Sequence, residues 1–367
     1  MEIIDNKMLS QIQGKLDLLA DTFKDVLYEE DTTFIENMKN CITEGDDISR
    51  YMHWEWPQGV GLYGFWKYYK ANGDKKYLSI LEEYYHRQYQ IGFPGKNVNT
   101  VAPLLALACY ADEFKNDKYM AVCDEWAEWI MNEFPRTPEG GLQHITSDCI
   151  NKGELWDDTL YMTVLFLAKM GKIRDKQDYI DEAVYQFLLH TKYLQDPVSG
   201  LWYHGWTFEE RNNFAGAFWG RGNCWITLAI PELLSMGITS PEIERFLSEI
   251  LVNQADALEK YQDADGMWHT LIDDSSSYLE ASATAGFGYG LLRAIHMGLL
   301  DTKFMPVVQR ALTAILGCIN TDGTVSQVSY GTPMGRESKD FYKNIPLQSM
   351  PYGQALAMLF LFEAQAA

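Results

Sequence analysis

Two kinds of helical segment alternate along this chain of 367 residues. One kind is amphipathic, with apolar residues at helical spacing and a charged face, and the other is apolar on nearly every side. A helix that is apolar all round is buried on all sides, so the alternation predicts an inner and an outer layer of helices. The amphipathic segments are residues 75–90, 118–134, 179–193 and 242–261, and the apolar segments are residues 59–69, 101–110, 160–170, 225–236, 281–295 and 352–362.

The connections between these segments repeat as well. Three amphipathic segments are followed by a glycine turn and a histidine, at His144, His204 and His269. Self-similarity at a regular period indicates a repeat architecture of about twelve helices after residue 30. We expect an all-α fold, an (α/α)6 barrel, because an open solenoid would need polar capping repeats that the sequence lacks. One catalytic domain is expected over residues 1–367, with residues 1–30 as an N-terminal helical extension outside the barrel.

The net charge of −21 excludes several kinds of partner. Its long-range field repels nucleic acid and anionic membranes, so we expect neither. A small acidic ligand is still compatible, because salt limits the field to about 8 Å and one arginine in a site then outweighs it. No segment has the composition of a signal peptide or a membrane span. We therefore expect a cytoplasmic protein, as a monomer or small homo-oligomer.

Two adjacent aspartates begin one apolar segment, in the motif ELWDDTLYM. A helix N-terminus explains one of them, and we interpret Asp157 as the N-cap, which together with the helix dipole is worth ~1–2 kcal/mol. Asp158 is not needed for capping and is flanked by Trp156, Tyr161 and Met162. Such neighbours can raise a carboxyl pKa, as a general acid requires, whereas the helix N-terminus lowers it. Asp158 is the candidate catalytic residue, with a structural network as the alternative.

A second motif, FWGRGNCW, precedes another apolar segment. Its arginine, Arg221, can hold a carboxylate bidentately, and Trp219 and Trp225 offer ring faces beside it. Asn223 belongs to the same motif and is counted with the substrate-binding residues. The alternative is an arginine that binds loop carbonyls, with tryptophans packed in the core. We favour the binding interpretation, because a fixed cation framed by aromatics suits an anionic sugar.

Further candidates precede other inner segments. His144 and His204 end two of the repeated turns, and Trp56 and Asn99 precede two apolar segments. Each could line a cavity or simply pack and cap, and we interpret His269 as structural. The sequence contains no HExxH, P-loop, GxSxG or GxGxxG motif, and its six cysteines lack CxxC spacing. Metalloprotease, NTPase, serine hydrolase, Rossmann and zinc-site interpretations are therefore unsupported, and we expect no metal.

The motifs WDDTLYM, YHGW and WGRGNCW, in this order and followed by YLEASATAGFGYGL, resemble glycoside hydrolase family 105. These are the unsaturated rhamnogalacturonyl hydrolases, related to the family 88 unsaturated glucuronyl hydrolases. The resemblance runs from about residue 50 to the C-terminus and implies an (α/α)6 barrel. It also implies a glycosidase of carbohydrate metabolism that removes a C4=C5 unsaturated uronic acid from the non-reducing end of lyase-generated oligosaccharides in pectin degradation. The expected substrate is a small acidic oligosaccharide such as unsaturated galacturonyl-rhamnose, a rhamnogalacturonan product, with no cofactor.

The resemblance also implies roles for individual residues. Asp158 donates a proton to the double bond and activates water to attack C5, and Asp157 is left as the cap. Related enzymes often have a second acid near an earlier inner helix, where this chain has Asn99, so a two-carboxylate scheme is not expected. The expected substrate-binding residues are Trp56, Asn99, His144, His204, Trp219, Arg221, Asn223 and Trp225.

Three alternatives stay open at this point. The first is an unsaturated glucuronyl hydrolase acting on ulvan or glycosaminoglycan fragments. The second is a sugar epimerase or polysaccharide lyase on the same barrel, since fold does not fix function. Those enzymes would use a histidine or a tyrosine as base. The third is a sugar-binding module without activity, which would bind saturated and unsaturated sugars alike.

Overall fold

The computed structural model describes residues 6–30, 32–41 and 47–365. Its helices form two layers. The inner helices are α3 (Trp56–Asn72), α5 (Val98–Val101) continued by α6 (Leu104–Glu113), α8 (Leu165–Arg174), α10 (Gly220–Ser235), α12 (Ala281–His296) and α15 (Pro351–Gln365). The outer helices are α1 (Asn6–Val26), α4 (Lys75–Ile91), α7 (Asp117–Asn132), α9 (Gln177–Leu194), α11 (Pro241–Tyr261) and α13 (Met305–Cys318), and the short helices α2 (Thr32–Cys41) and α14 (Asp340–Lys343) lie outside this pattern.

The inner helices close into a ring. Helix α3 packs against α6, α6 against α8, α8 against α10, α10 against α12, α12 against α15, and α15 against α3 again. These helices are buried along most of their length, as segments that are apolar on every side require. The predicted all-α, (α/α)6 barrel is therefore confirmed.

The N-terminal helix α1 takes the sixth outer position. It packs against α15, and the ring of Phe23 meets that of Phe65 on α3 at 5.8 Å. A Cβ atom at Gly61 would lie 1.9 Å from the Phe23 ring, so the glycine allows α1 to approach α3 closely. Residues 1–30 were expected as an N-terminal helical extension outside the barrel, and the described part, α1, packs on the outer side of the last inner helix.

Three outer helices begin at side chains that bind their free N–H groups. Asp74, Asn116 and Ser240 each accept a hydrogen bond from the first turn of α4, α7 and α11. The loops before the inner helices contain short strands and aromatic side chains, and two of these helices, α5 and α12, are also capped by side chains. Those loops are therefore free to build a site where the inner helices begin.

Three two-stranded antiparallel sheets lie in these loops. Strand β1 (Glu154–Trp156) pairs with β2 (Gly205–Thr207), β3 (Trp268–His269) with β4 (Leu279–Glu280), and β5 (Val328–Ser329) with β6 (Leu347–Gln348). The β1–β2 pair joins the loop of the two aspartates to the loop of the second histidine. This pairing fixes the position of the two aspartates relative to that histidine. None of the described helices has the length and apolarity that a bilayer crossing requires.

Candidate active site

Asp158 follows strand β1 and precedes a single π-helical turn, Leu160–Val164, that continues into α8. Single π-helical turns are frequent at functional sites. The pairing of β1 with β2 brings His204 beside the aspartates, and the backbone N–H of Asp157 donates to the carbonyl of His204 at 3.1 Å. Nε2 of His204 lies 3.7 Å from Oδ2 of Asp158, whose side chain is 17% exposed. Asp158 is thus close to a buried histidine and still open to solvent.

Asp157 is not a helix cap, contrary to the sequence interpretation. Its side chain is fully buried, and its hydrogen-bonding neighbours are the carboxyl group and backbone N–H of Asp158, not the N–H groups of the turn that follows. The carboxyl group lies against the first turn of α10, since a Cβ atom at Gly222 would be 2.3 Å from Oδ2 of Asp157. The capping role failed because the π-helical turn starts with Thr159 as its flanking residue, without a side-chain cap.

The two carboxyl groups have raised pKa values. Burial is the main cause for both, and the negative charge of Asp158 raises the pKa of Asp157 further. For Asp158, the neighbouring Asp157 carboxyl and the guanidinium of Arg221 oppose part of the rise. The pKa of Asp157 is raised further than that of Asp158, so a single proton on the pair favours Asp157. Asp158 is the member of the pair that can gain and lose one.

His204 is buried and neutral. Burial lowers its pKa well below the ordinary value, and the neighbouring His144 ring and the charge of Arg221 act in the same direction. Its Nδ1 lies 2.7 Å from the hydroxyl oxygen of Tyr342, and its ring centroid lies 4.2 Å from that of Trp219. The sequence analysis did not find Tyr342, because it is far from His204 along the chain and belongs to none of the motifs.

His144 contacts Trp156 and Thr159, the residues on either side of the two aspartates. Its ring stacks on that of Trp156, with the centroids 4.2 Å apart. The Trp156 ring also meets the His204 ring edge-on, at 5.0 Å. Nδ1 of His144 lies 2.9 Å from the hydroxyl of Thr159, and burial lowers its pKa to about 3. His144 therefore supports the aspartate turn as a neutral, packed side chain.

Arg221 is 2% exposed and binds the protein itself. Its guanidinium donates to the hydroxyl and carbonyl of Ser329 at 2.6 and 3.1 Å, to the carbonyl of Tyr330 at 3.2 Å and to the hydroxyl of Thr332 at 3.0 Å. Glu280 lies 3.8 Å away, as a buried counter-ion. The structure therefore shows the alternative that the sequence left open, an arginine that binds loop carbonyls.

Two aromatic rings frame Arg221, that of Trp219 from its own motif and that of Tyr352, which the motif did not include. The guanidinium carbon lies 4.8 Å from the ring centroid of Trp219 and 4.7 Å from that of Tyr352. Tyr352 in turn stacks on Trp56 at 4.5 Å, and Trp56 meets Trp225 edge-on at 5.8 Å. These rings form a continuous aromatic wall, of which Trp56 is partly exposed.

Asn223 and Trp225 are fully buried. The Asn223 amide donates to the carbonyls of Trp202 and Trp219 and accepts from the Trp202 N–H at 2.8 Å. The amide therefore ties two points of the α9–α10 connection to the start of α10, a role that its position in the motif did not reveal, and a substrate contact by Asn223 stays a prediction. The indole N–H of Trp225 faces the Asp158 carboxyl, whose pKa it lowers, and its ring packs on Tyr161, so Trp225 forms the floor of the aromatic wall.

One segment, which we call the cover segment (residues 329–342), touches several of these side chains. Besides its bonds to Arg221 and His204, it contributes Arg336, which donates to Glu154 at 2.7 Å. Glu154 also accepts from the indole of Trp156 at 2.9 Å. The cover segment therefore links the arginine and the histidine, which belong to α10 and the connection that leads into it, with the aspartate turn, which precedes α8.

The side chain of Asn99 contacts a further carboxyl group, that of Glu55, at this end of the barrel. Asn99 is partly exposed at the start of α5, and its side chain hydrogen-bonds Glu55, a buried residue next to Trp56. Ser147 donates to Oε1 of Glu55. Burial raises the pKa of Glu55 to about 8, and the negative charge of Asp148 adds to this rise. The sequence analysis missed Glu55, because one glutamate among tryptophans carries no recognisable pattern.

The Glu55→Gln variant should change how stability depends on pH. An acid with a folded-state pKa of about 8 and an ordinary pKa when unfolded binds more protons in the folded state, so the wild-type protein loses stability as pH rises toward 8. Glu55 contributes about 1.4 kcal/mol of this loss per pH unit. Urea unfolding from pH 5 to 8 should show the wild-type curve falling more steeply than that of Glu55→Gln. Parallel curves would contradict the raised pKa.

Asp157, Asp158 and His204 could in principle hold a cation. Each offers one oxygen or nitrogen, and these atoms lie within 4.8 Å of one another. A metal would need both carboxyl groups ionised, whereas their burial favours a proton on each. The arrangement therefore favours proton transfer, and the absence of a metal requirement stays a prediction.

Known proteins resemble this chain along most of its length. The model of Glycosyl Hydrolase Family 88 matches residues 30–367. The chain belongs to this family. An unsaturated rhamnogalacturonyl hydrolase, YesR of Bacillus subtilis, is 35% identical over 312 residues, which cover 84% of this chain and 88% of the relative. The resemblance predicted from the motifs is therefore confirmed, and the protein is a glycoside hydrolase.

Solved structures of family members share the fold over the whole chain. A possible member of family 105 from Klebsiella pneumoniae has a TM-score of 0.91 and 41% identity, and the match covers 100% of this chain and 95% of that one. An unsaturated glucuronyl hydrolase from Bacillus sp. GL1 has a TM-score of 0.70 and 18% identity, covering 96% of both chains. At that identity only the fold is shared, so the substrate is a separate question.

Proposed function

We propose that this enzyme removes a C4=C5 unsaturated uronic acid from the non-reducing end of lyase-generated oligosaccharides, with unsaturated galacturonyl-rhamnose as the substrate. The observation that carries the proposal is Asp158, a carboxyl with a raised pKa that is open to solvent beside a neutral histidine. The name of the Bacillus subtilis relative supports the choice of sugar.

The proposed chemistry is hydration of the double bond. Asp158, protonated, donates its proton to C4, and positive charge develops at C5 and the ring oxygen. Water then attacks C5 while the Asp158 carboxylate takes one of its protons, which restores the acid. The resulting hemiketal opens and releases the neighbouring sugar. One water is consumed, and one titrating aspartate suffices.

This scheme fits a site with one titrating aspartate. Hydrolysis at the glycosidic bond itself uses two carboxyl groups on opposite sides of that bond. Here Asp157 is adjacent to Asp158 in sequence and stays protonated, so it cannot serve as a second base. Because Asp157 is neutral, the two aspartates carry one negative charge after proton transfer, and that charge is on Asp158. The nearby charge of Arg221 stabilises that carboxylate.

Arg221 acts in this proposal through its charge. Its donors bind the cover segment, so bidentate capture of the substrate carboxylate, which the motif suggested, would require those bonds to break. We propose that the sugar ring binds against the partly exposed Trp56 and that Asn99 contacts its polar groups. Both lie at the same end of the barrel as Asp158. Roles for His204 and Trp219 as walls of this subsite complete the proposal.

The test is a panel of lyase digests from rhamnogalacturonan, ulvan and glycosaminoglycan. We expect loss of the ultraviolet absorbance of the double bond and release of free sugar, fastest with the pectic product and unchanged by EDTA. A faster reaction with ulvan or glycosaminoglycan fragments would identify an unsaturated glucuronyl hydrolase instead. Binding without any product, or a sugar that changes configuration without release, would refute the proposal. Pectin degradation, cytoplasmic location, the absence of nucleic-acid partners and a monomer or small homo-oligomer stay predictions.

A further inference from the structure

Tyr342 is built tightly into the site without contributing to the steps above. It is fully buried, its hydroxyl lies 2.7 Å from Nδ1 of His204, and it accepts a hydrogen bond from the Gly335 N–H at 3.1 Å. A Cβ atom at Gly335 would lie 2.4 Å from the Tyr342 ring, so the glycine permits this close approach. The tyrosine and its partners therefore form a defined hydrogen-bonded group.

The hydroxyl proton of Tyr342 has one good acceptor. A phenol offers one proton and accepts hydrogen bonds through its oxygen, where it receives the Gly335 N–H. Burial raises its pKa above the ordinary value, so the phenol stays protonated. The remaining neighbours are His204 Nδ1 at 2.7 Å and the Met334 sulfur at 3.7 Å, which is a weak acceptor. The proton is thus directed to Nδ1 of His204.

We propose that Tyr342 is a positioning residue that holds neutral His204 in the tautomer with its proton on Nε2, facing Asp158. The bond made by one ring nitrogen decides which nitrogen carries the proton. Nε2 lies 3.7 Å from Oδ2 of Asp158 and has no other partner among the described residues. The proton on Nε2 therefore points toward the carboxyl group that does the chemistry.

The tautomer has two consequences for the reaction, and these rest on the proposed function. With a proton on Nε2, His204 cannot accept the proton of Asp158, which stays available for the substrate. After transfer, the same N–H faces the Asp158 carboxylate and stabilises it. The opposite tautomer would present a lone pair to Asp158 and compete for its proton.

Nitrogen NMR tests the tautomer without any substrate. In protein with ¹⁵N-labelled histidines, of which the chain has seven, the His204 signals are identified by their loss in His204→Gln. We expect the wild-type protein to carry the proton on Nε2 at neutral pH. We expect Tyr342→Phe to shift His204 toward the Nδ1 tautomer or to a mixture. Tyr84→Phe is the matched control, because Tyr84 is buried and donates to the His53 carbonyl, remote from His204.

A wild-type signal with the proton on Nδ1 would overturn the proposal, as would a tautomer unchanged in folded Tyr342→Phe. The wild-type spectrum decides the first point even where the variant fails to fold. On the proposed substrate, kcat of Tyr342→Phe should fall about tenfold with KM nearly unchanged, as for the loss of one hydrogen bond. An unchanged kcat would refute the catalytic consequence. A protein inactive on every digest would refute the proposed function, whereas the tautomer would still be decided by NMR.

Discussion

Replacing Asp158 with asparagine should lower kcat on the unsaturated substrate by about 10³-fold, the scale of a lost general acid–base group. Asparagine has nearly the same shape, so packing against His204 and the aromatic wall is kept. It can neither donate the proton to C4 nor accept one from water. The measurement is the loss of double-bond absorbance under saturating substrate, with circular dichroism to show that the helical fold is intact.

The neighbouring aspartate offers a matched comparison. Asp157→Asn changes the same atoms one residue away, but Asp157 is already protonated and buried, so an amide replaces a neutral group. We expect a loss within about tenfold, together with a shift in the pH profile, because the two carboxyl groups titrate as a coupled pair. If Asp157→Asn were the inactive variant and Asp158→Asn the active one, the assignment of the two aspartates would be reversed.

Replacing Arg221 with methionine should destabilise the protein by ~3–5 kcal/mol, the cost of leaving a buried charge without its partner. Glu280 would lose its buried counter-ion, and the Ser329 and Tyr330 carbonyls would lose their donors. Urea unfolding measures this change. The exposed ion pair of Lys70 and Glu113, at 2.9 Å, gives the control, since Lys70→Met should cost at most about 1 kcal/mol.

A double variant shows whether the broken ion pair causes the loss of stability in Arg221→Met. Glu280→Gln combined with Arg221→Met removes both charges, so the double variant should be less destabilised than the Arg221→Met variant alone. Additive losses would mean that the bonds to the cover segment, and not the ion pair, account for the effect. A small loss for Arg221→Met would mean that solvent reaches Glu280, and that the arginine is free to bind substrate as its motif first suggested.

The barrel was predictable because helical periodicity is a local property of the chain. Each apolar segment identified in the sequence, from residues 59–69 to 352–362, became an inner helix, because a helix with no polar face must be buried. The role of α1 was not predictable in this way. Its sequence shows one apolar face, whereas the surface that this face covers, on α15 and α3, comes from opposite ends of the chain.

The site was predictable where it is written in short motifs. The ELWDDTLYM and FWGRGNCW motifs located Asp158 and Arg221, since catalytic and binding groups in a barrel cluster where loops enter inner helices. Local rules failed for Asp157, because capping depends on the geometry of the first turn, and the π-helical turn that follows is flanked by Thr159 and has no side-chain cap. They did not reveal the bonds of Asn223 either, whose amide binds the backbone of Trp202, earlier in the connection that leads into α10.

By itself, the sequence determined the alternation of helices, the family and the aspartate that we propose as catalytic. Only the tertiary structure decided what surrounds Asp158. Tyr342 and Glu55 approach this end of the barrel from distant parts of the chain, and burial sets their protonation. Burial and long-range hydrogen bonds depend on how all six hairpins close around one axis. A short motif contains no information about that closure. The protonation of the site residues could therefore be inferred only from the folded barrel.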